Sequence, residues 1–172
     1  MFPGLCVVAR FSLEILGETE MTGKAIAVVA LAAITGCGGG STIGGLDAEA
    51  VYTLQLTQAA EVPAPKPTTA SGAATIVVYP DRIEYQVSAQ SIIAVTMAHI
   101  HNGAPGTAGP IVVTLFNQPN NPISPNGVFA SGTLTDATVN LASLKALLAS
   151  GSAYINVHTS ANPAGEIRGQ VK

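Results

Sequence analysis

Beyond residue 50 the chain is dominated by two-residue periodicity. Tyr52, Leu54 and Leu56 alternate with Thr53 and Gln55, the pattern of a strand with one buried face. An apolar stretch at 73–79, with Ile76 and Val78, runs into Pro80-Asp81, after which Ile83, Tyr85 and Val87 alternate with Arg82, Glu84 and Gln86. A turn between two such runs predicts an antiparallel hairpin with one solvated face. Further strands are predicted over 95–101, 111–116, 128–134, 153–159 and 166–171, most of them separated by Gly, Pro or Asn clusters. The segment 140–150 breaks the pattern: Leu141, Leu144 and Leu148 recur at helical spacing behind Asn140, a capping residue, and ahead of Gly151. About eight strands and one short helix predict an all-β domain over 50–172, an antiparallel Greek-key β-sandwich or flattened barrel.

Upstream the pattern changes character. Met21-Thr22-Gly23-Lys24 precedes an apolar run at 25–34 and then Thr35-Gly36-Cys37, the layout of an export signal. The run is shorter than the roughly 20 residues that span a bilayer. Ile34-Thr35-Gly36-Cys37 resembles the bacterial lipobox, which implies that the signal peptide at 21–36 is removed and that Cys37 carries lipid. The alternative is a buried apolar helix that happens to end in a cysteine. Gly38-Gly39-Gly40-Ser41 favours the lipobox, because a glycine-rich spacer at 37–49 suits a flexible tether and not a core segment. Glu14, Glu18 and Glu20 place acidic charge ahead of the leader, so translation is expected to start at Met21, with 1–20 a mis-assigned upstream start. The expected product is exported and held on a membrane that faces the periplasm or the cell exterior. Acylation anchors firmly, since each buried methylene adds about 0.8 kcal/mol. Gly38, where an Asp often retains lipoproteins at the inner membrane, favours the outer membrane if the source is Gram-negative.

Charge and cysteine content narrow the chemistry. The net charge is −3 and no Lys/Arg run occurs, so nucleic acid is excluded as an expected partner. Without 1–36 the chain keeps five bases against seven acids. Cys6 and Cys37 both precede residue 50, so the domain has no disulfide and no thiolate metal site. Gly103, Gly106 and Gly109 superficially resemble a phosphate loop, but a strand and not a helix is predicted to follow, so no nucleotide is assigned. No serine lies in a nucleophile-elbow motif, and no catalytic residue is assigned. The proline-containing stretch 61–71 reads as an extended surface connection, with a recognition loop as the alternative.

All three histidines fall in two predicted strands. His99 and His101 share one face of theirs, with Ile100 opposite; Tyr154, Asn156 and His158 share the face opposite Ile155 and Val157. In the last strand Glu166, Arg168 and Gln170 face away from Ile167 and Val171. If these strands are neighbours, three imidazoles, a carboxylate and a guanidinium gather on one polar face. Imidazoles suit copper and zinc, with water or Glu166 as a fourth ligand. The other reading is a hydrogen-bonded network in which the histidines orient loops and Glu166 pairs with Arg168.

Several motifs in order resemble the CHRD domain, a module named after chordin: Glu61-Val62-Pro63, Ala98-His99-Ile100-His101-Asn102-Gly103, Gly109-Pro110-Ile111-Val112, Asn156-Val157-His158-Thr159, and Pro163-Ala164-Gly165-Glu166-Ile167-Arg168-Gly169-Gln170. The resemblance implies an extracytoplasmic β domain and no settled activity; the expected role is a non-enzymatic, lipid-anchored module that binds a protein or surface partner or contributes to the cell surface. A more distant similarity is to the copper–zinc superoxide dismutases, also β-sandwiches with a His-x-His strand, a later Val-His strand and an Arg near the copper. His99, His101, His158 and Arg168 fall in the corresponding places, but a fourth copper histidine, the zinc loop and the disulfide are lacking. Metabolic labelling with a lipid precursor is expected to mark the wild-type chain and not Cys37→Ser; equal labelling of both would remove Cys37 as the attachment point.

Overall fold

Strands form where the alternation predicts them. The computed structural model describes residues 47–172, so the leader, the start at Met21 and the lipidation of Cys37 lie outside the described residues. The strands are β1 (Ala50–Thr57), β2 (Ser71–Val78), β3 (Ile83–Gln90), β4 (Val95–Asn102), β5 (Ile111–Asn117), β6 (Gly127–Leu134), β7 (Ala153–Thr159) and β8 (Ile167–Gln170). A 3-10 turn at Gln58–Ala60 follows β1, and the helix α1 spans Leu141–Ala149. Asn140 caps α1 by accepting from the Ser143 N–H at 2.9 Å, and Gly151, at φ 71°, ends the turn beyond it.

All eight strands belong to one antiparallel sheet, in the order β5-β4-β7-β8-β1-β2-β3-β6. The sheet curls until its two edges meet. Phe116 of β5 sets its ring edge-on to Phe129 of β6 at 5.4 Å, and Tyr85 of β3 donates to the Leu115 carbonyl of β5 at 3.1 Å. The result is a nearly closed barrel, the second of the two expected architectures. Round the barrel β4, β5 and β6 lie side by side and β7 returns to lie beside β4, the connectivity of a Greek key. Inside, Leu54, Leu56, Ile76, Ile83, Val87, Ile100, Ile155, Val157 and Ile167 form one core, joined by Leu141, Leu144 and Leu148 of α1. Among the described residues no helix is long and apolar enough to cross a membrane.

Most strands keep one wet face. β7 does not, because every residue from Ala153 to Thr159 is buried. Its inward residues fill the core, and its outward residues lie under loops, which is what creates a polar interior. Ile155, at the centre of β7 and 0% exposed, supports both layers. Ile155→Ala is expected to cost about 2–5 kcal/mol of stability by the usual cost of a cavity. Urea unfolding measures it, and a loss under about 0.5 kcal/mol would show that the barrel does not rest on this layer.

A candidate metal centre beneath three loops

Register places the chemistry. Across β4, β7 and β8, His99 lies opposite Asn156 and Asn156 opposite Arg168, while His101 lies opposite Tyr154 and Tyr154 opposite Gln170. Met97 faces His158 across the same ladder. Because side chains two apart share a face, all of these stand on the outer surface of the barrel wall. β4 departs from regular pairing with β5 between Ala98 and His99 and again between Ile100 and His101, an irregularity of the kind that re-aims side chains beside sites.

Three neighbouring imidazoles are expected from the sequence, and the fold brings them together. One ring nitrogen from each of His99, His101 and His158 lies within 4.8 Å of the others. Backbone carbonyls fix two of the rings. His101 Nδ1 donates to the Gly109 carbonyl at 2.8 Å, and His158 Nδ1 to the Pro163 carbonyl at 3.0 Å. A carbonyl only accepts, so in both neutral rings the proton sits on Nδ1 and Nε2 is left as the acceptor. His158 Nε2 accepts from the Nδ1–H of His99 at 3.0 Å. His101 Nε2 is buried and has no hydrogen-bond partner among the described residues. Two nitrogens bound to one tetrahedral metal lie about 3.4 Å apart, given metal–nitrogen bonds of about 2.0–2.1 Å. The His99–His158 pair therefore comes to within a few tenths of an ångström of a ligand pair, with a proton where the metal would be.

Three loops bury this polar face: His99, His101, Asn156, His158, Glu166 and Arg168 are all under 9% exposed. The loop after β4 is held by Arg168, which donates to the Thr107 and Ala104 carbonyls at 2.9 and 3.2 Å, and by Gln170, which donates to the Gly103 carbonyl at 2.9 Å. Gly109 in that loop tolerates no side chain, because a Cβ would lie 1.7 Å from the Asn102 carbonyl oxygen. The other two loops are tied through Glu166, which accepts from Thr159 Oγ1 at 2.6 Å, Thr68 Oγ1 at 2.7 Å and Asn162 Nδ2 at 2.9 Å.

Glu166 is thus neither the fourth ligand nor the partner of Arg168. It precedes β8, after Gly165 at φ 133°, and turns away from the strand face on which the alternation predicts it. Arg168 lies instead with its guanidinium 3.4 Å over the Tyr154 ring, and that ring stacks on His101 at 4.7 Å and 10°. Sequence reasoning missed the roles of Tyr154 and Glu61. Glu61 falls in the expected surface connection yet is 4% exposed, its carboxylate against Gly165 and Asn156. The signal for it was its place in the Glu61-Val62-Pro63 motif.

Burial sets the protonation of the cluster. It pushes His99 from 6.5 down to about 4, helped by the neighbouring His158 and His101. It lowers His101 as well, against the pull of the Gly109 carbonyl and Asn156, with the Arg168 charge adding to the fall. It lowers His158 despite the Pro163 carbonyl. At neutral pH all three rings are uncharged, as metal ligation requires. Burial works to raise Glu166, but the hydrogen bonds from Thr159, Thr68 and Asn162 outweigh it and hold the carboxyl below its ordinary range.

Residues 52–171 match the family model of the CHRD domain. No curated protein and no solved structure matches the chain.

Between about pH 6.5 and 4 the unfolded chain binds a proton on His99 that the fold refuses, so stability rises with pH through that window. Acidifying metal-free protein from above to below the window is expected to cost roughly 3 kcal/mol through His99, since each tenfold weakening of proton affinity is worth about 1.4 kcal/mol. Urea unfolding across that range should show a shallower acid loss for His99→Gln than for wild type. Equal slopes would exclude His99 as the source.

Proposed function

The chain belongs to the CHRD domain family, and from that premise we propose that it is an extracytoplasmic binding module, tethered by lipid on Cys37, whose His99, His101 and His158 take up a copper or zinc ion. Family membership alone supports a binding or structural role. One observation supports the metal: His101 Nε2 is a buried lone pair without a partner among the described residues, in a cluster where backbone carbonyls already orient the rings of His101 and His158. A histidine that ligates a metal through one nitrogen usually donates the other to a carbonyl or carboxylate, as His101 and His158 do here. A purely hydrogen-bonded network leaves that lone pair unused, at a cost of about 1–3 kcal/mol for an unsatisfied buried group.

Three protein nitrogens beneath the loops suit an ion that fixes the loops over the wall, which is how a metal site serves a binding module without turnover. The likeness to the copper–zinc superoxide dismutases supplies a second reading, in which the bound ion also turns over superoxide. His-x-His and Arg168 on one face favour it; the lack of the fourth histidine counts against it.

Purified protein loaded with copper or zinc and then desalted is expected to retain one ion per chain, and His99→Ala together with His101→Ala to retain none. Metal analysis that finds none on the wild type after loading would overturn the metal reading and leave the network. A copper-dependent superoxide rate would make the module an enzyme.

A further inference from the structure

We propose that this site, on the reading that it holds a metal, selects a monovalent soft cation, and that its resident ion is Cu(I) in preference to Cu(II) or Zn(II). The donor set is electrically neutral. All three nitrogens within 4.8 Å of one another belong to imidazoles, and no carboxylate of the described residues joins them. Neither of the two nearby carboxylates joins the donor set, although one Glu61 oxygen has no hydrogen-bond partner among the described residues. Glu166 is occupied by Thr159, Thr68 and Asn162, and Glu61 accepts from the Val62 N–H at 3.0 Å with its other oxygen against Gly165.

A fixed cation stands beside the site. The Arg168 guanidinium is 1% exposed and forms no salt bridge among the described residues; its partners are the Thr107 and Ala104 carbonyls, Gln170 Oε1 and the Tyr154 ring. It lies on the ring that stacks on His101, so its field reaches the donor atoms. Glu61, within reach of the same guanidinium, offsets part of that charge but contributes none to the donor set.

The cost of burying an ion grows as the square of its charge, so a dication costs about four times what a monocation costs in the same pocket. With His99, His101 and His158 at 4–7% exposed, water does little to relieve it. Structural zinc sites offset the buried dication with thiolates, and three-histidine zinc sites keep an open position for water or hydroxide; here no thiolate is offered and loops bury the histidines. Imidazole accepts copper in either state, while Met97, opposite His158 on the same face, adds a soft thioether neighbour that suits Cu(I).

The test is the reduction potential of copper bound to the purified full chain, with anaerobic competition titrations of Cu(I), Cu(II) and Zn(II). The expected result is one Cu(I) per chain, a potential above that of aqueous Cu(II)/Cu(I), and Cu(I) affinity at least about tenfold above that for Zn(II). Asn156→Asp sets a carboxylate at the centre of the face, and Gln170→Glu sets one against Arg168. Whichever of the two folds is expected to shift the affinity ratio about tenfold or more toward Cu(II), lowering the potential by about 59 mV or more. A role in packing alone would leave the potential unmoved. Tighter binding of Cu(II) or Zn(II), or a potential indifferent to both substitutions, overturns the selectivity and leaves the metal site standing. Failure to bind any of the three ions overturns both.

Discussion

Two backbone carbonyls, those of Gly109 and Pro163, decide what the polar interior can do. Each accepts a hydrogen bond from the Nδ1–H of one histidine and so turns the other nitrogen inward as a lone pair. An imidazole free to rotate would pair with whatever lay nearest. Held this way, His101 finds no partner for its second nitrogen among the described residues. The rest of the region serves to keep those carbonyls in place, since each belongs to a loop that has no strand ladder of its own.

Loops can be fixed over a barrel wall only by groups reaching out of the wall. Arg168 and Glu166 do this from the two ends of one short stretch, the guanidinium on the carbonyls of one loop and the carboxylate on hydroxyls and an amide of the other two. They do so separately. Had they paired, as their shared strand face in the sequence implied, all three loops would have lost these anchors and the imidazoles their cover. Hydrogen bonds to charged groups are stronger than neutral ones, which suits residues that must order loops with little apolar surface.

The strands and the capped helix were legible in the sequence because their signals are periodic. Alternation told which face of β4 carries His99 and His101, and the Leu141, Leu144 and Leu148 spacing found α1. Periodicity could not tell that the outward face of β7 is buried, because a residue under a loop and a residue in water are equally polar. Nor could it tell sandwich from barrel, which depends on the edge strands meeting through Phe116, Phe129 and Tyr85. Glu166 departs from its expected place by one step: with Gly165 in a conformation that favours glycine, β8 begins at Ile167 and the carboxylate turns to the loops. Glu61 had no periodic pattern at all, and only its neighbours in space give it a role.

Three buried polar atoms, Glu61 Oε2, His101 Nε2 and Asn156 Oδ1, go unpartnered among the described residues. Stability alone does not favour such a group, since apolar residues of similar size would fill the same wall without the cost of unpaired atoms. The barrel sustains it because its core is separate: Ile100, Ile155 and Val157 pack inward from the strands that carry the histidines outward. One strand thus bears a closed apolar layer and an unsatisfied polar one, and the first holds the second to a fixed geometry. A rigid donor with an unused lone pair, such as His101 Nε2, would take an ion with little further cost of ordering, which is the physical sense in which this wall suits the proposed metal.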